Sequence, residues 1–270
     1  YCKNIISKIG GENFDIIEIH NRPQIFNLLK KKINSKYILY FHNDPISMIG
    51  SKSIDERINL LNVCSKIIFN SEWSKKQYLK DLKNFYHKSE KLEVIHQSTN
   101  KTKINLKKKE KLITFVGKLN SAKGYDIFGE AITRILNKYP DWKSIVIGDE
   151  PREKLFYYHK NLKNLGFQNH KTVLNTFNKT SIAVACSRWE EPFGRTSLEA
   201  ASRGCAVIIS NRGGLPETIT NGVIIRNLNN KNVFKAIDNL IIKENYRKNL
   251  QKLSLQNFYL TNKHISNKID

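Results

Sequence analysis

Short apolar runs recur along this chain, and longer segments with helically spaced apolar positions separate them. The runs are Phe14–Ile19 (FDIIEI), Tyr37–Phe41 (YILYF), 66–69, Val94–Ile95, Leu112–Val116, Trp142–Ile147, Ile182–Cys186, Cys205–Ile209 and Gly222–Ile225. Most are continuous and rich in β-branched residues, as expected of strands buried on both faces in a parallel sheet. Between them the spacing predicts helices over 24–32, 54–64, 73–82, 126–138, 151–164, 175–180, 194–203, 230–242 and 244–256, with a further short strand at 171–174. Strand and helix alternate from end to end, which predicts an α/β fold with parallel sheets.

A polar stretch without periodicity, 101–111, carries Lys101, Lys103, Lys107, Lys108, Lys109 and Lys111 and reads as a linker with a solvated charge run. The expected division is a first domain over 1–105, a linker core over 106–111, a second domain over 112–245 and a helical segment over 246–270 that returns to the first domain. In an open α/β sheet, ligands bind beyond the carboxyl ends of the strands. His20-Asn21-Arg22-Pro23 and His42-Asn43-Asp44-Pro45 lie at two such ends in the first domain. A lone histidine at a strand end is more often structural, but two at adjacent ends favour a functional His42; His20 is the weaker candidate.

The densest chemistry lies between the strands at 182–186 and 205–209. There Trp189-Glu190-Glu191-Pro192-Phe193-Gly194-Arg195-Thr196-Ser197-Leu198-Glu199 leads into a predicted helix, and Gly213-Gly214-Leu215-Pro216-Glu217 follows the next strand. A helix that starts directly after a strand turns its free N–H groups toward the sheet's carboxyl edge, where backbone amides and the helix dipole hold a phosphate. Phe193, Gly194, Arg195 and Thr196 sit at that start. Glu191 and Glu199, eight residues apart, can face one cleft at two depths, and carboxylates suit hydroxyl-rich partners. Upstream, Gly117-Lys118 and Lys123-Gly124 bound a loop before a helix, so two cations can clamp a diphosphate while glycine permits close backbone approach.

Glu-Pro-Phe-Gly, Leu-Glu-Ala, the glutamate pair and the following Gly-Gly-x-Pro-Glu recur here in an order that resembles the donor-site motif of retaining glycosyltransferases of family four. The resemblance covers roughly residues 14–250 and implies the GT-B fold, two Rossmann-like domains with parallel sheets. It implies sugar transfer from a nucleotide sugar, such as a UDP- or GDP-sugar, to a saccharide or lipid-linked acceptor with retention at the anomeric carbon. Cell-surface polysaccharide or lipopolysaccharide synthesis would be the setting. On the matching positions it makes Glu191 and His42 the catalytic candidates, the latter directed at the donor. Lys118 and Lys123 would hold the diphosphate beside Gly117, and Glu199 the ribose. The amides of Phe193 and Gly194, with Arg195, Thr196, Gly213 and Gly214, would complete the donor site. Two departures stand out. Lys118 replaces the family's usual arginine, which keeps the charge and loses the bidentate fork. The family's opening strand-helix units and glycine-rich loop do not precede Phe14, so the N-terminal domain is expected to be incomplete in this chain.

Charge adds a partner question. Lys and Arg number 46 against 24 Asp and Glu, a formal net charge of +22, in a chain of 270 residues that is 40% hydrophobic. The lysines are scattered among polar positions rather than interleaved with exposed aromatics, which disfavours nucleic acid. Peripheral contact with an anionic membrane is the more plausible partner, at about 1 kcal/mol per well-placed basic residue. Four cysteines without Cys-x-x-Cys spacing, and apolar runs far short of the roughly 20 residues of a span, lead to the expectation of a cytoplasmic protein, peripheral at most on the inner membrane face. No cofactor is expected, and no Asp-x-Asp or histidine cluster suggests a metal. The rival of another class is a non-catalytic nucleotide-sugar-binding or membrane-surface protein. A sugar-nucleotide epimerase fits the glutamate spacing less well.

Overall fold

The structure is a computed structural model that describes residues 2–9 and 14–269. The chain divides into two compact units, 1–96 and 97–270. In the first, α1 (Cys2–Ile9) is followed by β1 (Ile16–His20), α2 (Pro23–Lys30), β2 (Lys36–Phe41), α3 (Ile54–Val63), β3 (Lys66–Phe69), α4 (Glu72–Leu79) and β4 (Leu92–Val94). The strands pair in sequence order and all run parallel. Parallel neighbours need a crossover, which the intervening helices supply. Phe26, Leu29, Leu60, Leu61, Tyr78 and Leu79 of the helices close over Leu39, Phe41, Ile67 and Phe69 of the sheet. A capping box between Ser53 and Glu56 starts α3. One helix turn on, the buried Arg57 donates from Nη1 to the carbonyls of Tyr78 (2.6 Å) and Lys80 (2.7 Å), closing the end of α4.

The second unit contains β5 (Glu110–Val116), α5 (Tyr125–Lys138), β6 (Lys143–Ile147), β7 (Leu162–Asn164), α6 (His170–Lys179), β8 (Thr180–Ala185), α7 (Arg195–Ser202), β9 (Ala206–Ser210), β10 (Val223–Ile225), α8 (Asn230–Ile242), α9 (Glu244–Gln256) and α10 (Asn262–Ile269). Its six parallel strands lie in the order β10-β9-β8-β5-β6-β7. From β5 the chain winds outward one way through β6 and β7, then returns to β8 on the other side and winds outward again. The reversal leaves a crevice beyond the carboxyl ends of β5 and β8, the place where open α/β sheets take ligands. At the far end of the unit, α9 packs on α7 and β9, and Thr99 pairs with Thr261.

Three expectations are corrected. Residues 151–160 are not helical: 151–153 turn, 154–159 form no regular element, and only 162–164 are regular, as β7. The side chains there alternate: Leu155, Tyr157 and His159 are half-buried, while Phe156 and Tyr158 are 79% exposed. A period of two describes a chain lying across a surface, and Gly129 of α5 provides the seat, since a Cβ there would meet the Tyr157 ring at 2.1 Å. Residues 171–174 are not a strand but the first turns of α6. Asn169 caps that helix from its side chain to the Thr172 N–H, and Val173 and Phe177, four apart, form its buried face. In the lysine stretch, Lys109 is not solvated at its tip. Its Nζ donates to the carbonyls of Phe177 and Arg203, each at 2.8 Å, and burial pushes its pKa down.

Candidate functional site

The crevice between β5 and β8 is built from three loops tied by main-chain bonds. After β5, the Ala122 carbonyl accepts from the N–H groups of Arg188 (2.9 Å) and Trp189 (3.0 Å) in the loop after β8. Arg188 reinforces the tie with a two-pronged ion pair to Asp126 at the start of α5, both contacts at 2.6 Å. After β9, the Gly214 N–H donates to the Glu191 carbonyl (2.6 Å), and the Gly213 N–H donates to the Glu190 carboxylate (2.5 Å). Gly213 has a φ of 56°, and a Cβ there would lie 2.1 Å from the Glu191 carbonyl oxygen. The loop after β9 can approach Glu191 this closely only because that position lacks a side chain.

Gly194 caps α7 in the left-handed region (φ 117°), where a Cβ would strike Leu215 at 2.5 Å. Phe193 is 2% exposed and anchors the turn in the core. The first N–H groups of a helix lack partners within it, so α7 presents donors at the mouth of the crevice. Beside them Lys123 Nζ bonds Glu191 Oε1 at 2.5 Å, with the two side chains 33% and 13% exposed. Further along α7, Glu199 is 5% exposed, and its Oε1 meets His170 Nε2 at 3.0 Å and Arg195 Nη2 at 3.1 Å.

The Lys123–Glu191 pair and the start of α7 border a concavity of about 240 Å³ lined by Phe115, Val116, Gly117, Lys123, Ala185, Ser187, Glu191, Gly194, Arg195, Thr196, Ser197 and Leu215. Of the sequence candidates it brings together Gly117, Lys123, Glu191, Gly194, Arg195 and Thr196. Lys118 is exposed and lies outside the lining, as do Phe193, Glu199, Gly213 and Gly214. A positive loop, a helix start and a carboxylate around one cavity can hold an anion next to hydroxyl groups. His170 is a site residue that the sequence reading did not find. It is the first residue of α6, in a stretch expected to hold a strand, and nothing local marks its side chain as the partner of Glu199.

Residues 96–255 match the family described as glycosyl transferases group 1. The chain belongs to this family. The group 1 glycosyltransferase match covers the whole crevice, from the loop after β5 to α9. Spore coat protein SA of Bacillus subtilis is 29% identical over 94% of this chain and 76% of its own length. The lipopolysaccharide 1,2-N-acetylglucosaminetransferase of Salmonella typhimurium is 22% identical over 82% of the chain, which spans 61% of that protein. Among solved structures, HepE of Anabaena in complex with UDP-glucose superposes with a TM-score of 0.77 at 17% identity, covering 99% of this chain and 81% of HepE. The fold class is therefore GT-B, with two Rossmann-like units.

In the first unit of this group 1 glycosyltransferase, His42 follows β2 directly and faces His20 at the end of β1. The bond from His42 to His20 runs between Nε2 and Nδ1 at 2.9 Å. Asn21, in the left-handed region at φ 55°, receives the backbone N–H of His42 on its Oδ1 (2.8 Å), and Asn70 donates to the His42 carbonyl (2.9 Å). Burial, and secondarily His20, lowers the pKa of His42. Among the described residues, no group of three or more His, Cys, Asp or Glu is placed to hold a metal ion. None of the described helices is long and apolar enough to cross a membrane.

Proposed function

We infer that this chain binds a nucleotide sugar at the β5–β8 crevice and takes part in retaining transfer, of the family-four type, to a saccharide or lipid-linked acceptor of the cell surface. The observation that carries the reading is the pairing, at the switch point of the sheet, of Lys123 with Glu191 beside the start of α7. A nucleoside diphosphate needs cations and N–H donors, and its sugar needs an acceptor of hydroxyl hydrogen bonds. Both kinds of group meet around this cavity. Lys123 and Lys118 neutralise the diphosphate together with the N-terminus of α7, so charge that develops on the leaving group is met by fixed cations and dipoles. Glu191 faces the sugar, Glu199 takes the ribose hydroxyls, and His42 keeps the donor-directed role that the resemblance gives it. No step in this scheme runs through a metal or cofactor. The work is cytoplasmic, with the net positive charge favouring peripheral contact with anionic lipid.

The reading is tested by thermal unfolding of the 270-residue chain against a panel of UDP- and GDP-sugars, their diphosphates and the free nucleosides. A ligand present at about 100 times its Kd should add about 2.7 kcal/mol of stability. Nucleotides of one base should stabilise and the others should not. A panel in which no nucleotide shifts the transition refutes donor binding. Retention is read separately, from the anomeric configuration of the product.

A further inference from the structure

The loop histidines belong to a longer chain of hydrogen bonds that no part of the donor-site reading uses. Glu18 and His20 on β1 and Tyr40 on β2 lie on one sheet face, with His20 and Tyr40 opposite each other in the ladder. Glu18 Oε1 accepts from the Tyr40 hydroxyl (3.3 Å), and Glu18 Oε2 lies 3.4 Å from His20 Nε2. His20 Nδ1 then meets His42 Nε2 at 2.9 Å. The two imidazoles are 6° from parallel with centroids 5.2 Å apart. That separation is the N···N distance plus one ring radius at each end, so the rings meet edge to edge in a common plane. This is the geometry of a linear N–H···N bond. Tyr40 lies beneath His20 as a platform, with centroids 4.4 Å apart and planes 7° from parallel.

The geometry points to His20 as a positioning residue that sets the tautomer of His42. The Glu18 carboxylate can only accept, so His20 Nε2 carries a hydrogen. In neutral His20 the other nitrogen, Nδ1, is then bare and must accept. His42 Nε2 therefore donates, and the remaining nitrogen of His42, Nδ1, presents a lone pair. Adding one proton to the pair reverses this. Whether the charge rests on His20, whose Nδ1–H then donates to His42 Nε2, or on His42 itself, His42 Nδ1 now carries a hydrogen. A second proton would set two N–H groups against each other and break the bond. Two nearby carboxylates have partners of their own: Glu93, which also acts on Tyr40, is bonded to Lys66 at 2.9 Å, and Asp44 accepts from the Ile46 N–H at 3.2 Å. Glu18, His20 and Tyr40 thus make His42 Nδ1 an acceptor for a hydroxyl when the pair is neutral and a donor to an oxyanion when it holds one proton.

This inference deepens the reading of His42 above, and its test is separable from donor binding. Long-range ¹H–¹⁵N spectra of the ¹⁵N-histidine-labelled chain report which nitrogen of each ring is protonated. Above the titration of the pair, His42 should show Nε2 protonated and Nδ1 bare, and a single-proton step on acidification should bring Nδ1 to the protonated type. His20→Phe keeps an aromatic ring over Tyr40 and removes the acceptor, so His42 should fall into a tautomer mixture. His20→Asn places an amide oxygen near the former Nδ1 and should restore the single tautomer while abolishing the coupled step. His87, bonded through Nε2 to the Leu82 carbonyl at 3.3 Å, serves as the internal check that the unit stays folded. A His42 with Nδ1 protonated at alkaline pH overturns the proposal. So does an unchanged His42 tautomer in His20→Phe with the His87 signal intact. Neither result would touch the nucleotide panel, and failure of that panel would leave the tautomer measurement standing.

Discussion

Replacing Glu191 by Gln should tighten the binding of a nucleoside diphosphate while slowing transfer, two effects of opposite sign from one substitution. The first follows from the 2.5 Å contact between Lys123 and Glu191. Unit charges about 4 Å apart interact by about 4 kcal/mol at an effective dielectric of about 20. Dehydration and side-chain ordering cancel most of this in a pair that keeps partial exposure, leaving about 1 kcal/mol or less. A diphosphate that takes Lys123 must give up that remainder, and the carboxylate left behind repels it. Gln removes both handicaps at nearly constant size, so the diphosphate Kd should fall about fivefold, the equivalent of about 1 kcal/mol. Free nucleoside, which makes no demand on Lys123, should bind as before. Transfer should drop by about 10² or more, because the carboxylate's charge acts where the sugar reacts. The assays are calorimetric titration with diphosphate and nucleoside, and single-turnover transfer with an active enzyme. Diphosphate binding weaker in Glu191→Gln than in the wild type, or transfer at the wild-type rate, refutes the assignment.

Lys123→Met should lose about 1.5–3 kcal/mol of diphosphate affinity, the scale of a hydrogen bond to a charged group, with nucleoside affinity spared; equal losses in the two titrations would remove Lys123 from the phosphate. Glu199→Ala should weaken nucleoside and diphosphate by the same factor, about tenfold or more, because Glu199 is bonded to His170 and Arg195 and is not paired with Lys123. Gly213→Ala places a methyl group 2.1 Å from the Glu191 carbonyl in a left-handed conformation, which costs about 1–2 kcal/mol before any clash, and should lower Tm by several degrees while loosening donor binding. Burial lowers the pKa of His42, so the unfolded chain protonates first on acidification. Denaturant midpoints should therefore fall as pH drops below the usual imidazole range, from about pH 7 to about pH 5, and His42→Asn should flatten that slope.

Much of the second unit was legible in the sequence because its elements are marked locally. Continuous apolar runs placed β5, β6, β8 and β9 to within two residues at either end, and the predicted helices 230–242 and 244–256 coincide with α8 and α9. Where the reading failed, a tertiary contact decided one case and a local cap the other. Nothing between Pro151 and Lys160 announces that Tyr157 will lie against Gly129, yet that seat goes with a segment of helical composition that forms no helix. The Thr172–Val173 pair suggests a strand by propensity, and the Asn169 cap with the Val173–Phe177 face outweighs it. Among site residues, Lys123 and Glu191 were found separately, but their contact spans 68 positions and has no local trace. The same holds for His170 with Glu199 and for the His20–His42 bond.

The ammonium group of Lys109 bears on the site from the opposite end of the sheet. It bonds the Phe177 carbonyl near the close of α6 and the Arg203 carbonyl just past the close of α7. His170 opens α6, and Arg195 opens α7. One buried ammonium group therefore fastens together the far ends of the two helices whose first residues meet at Glu199. A neutral side chain at 109 would remove no group that lines the crevice and would take from the Phe177 and Arg203 carbonyls the donor they share, so its effect belongs to mechanical tolerance rather than to a lost ligand contact.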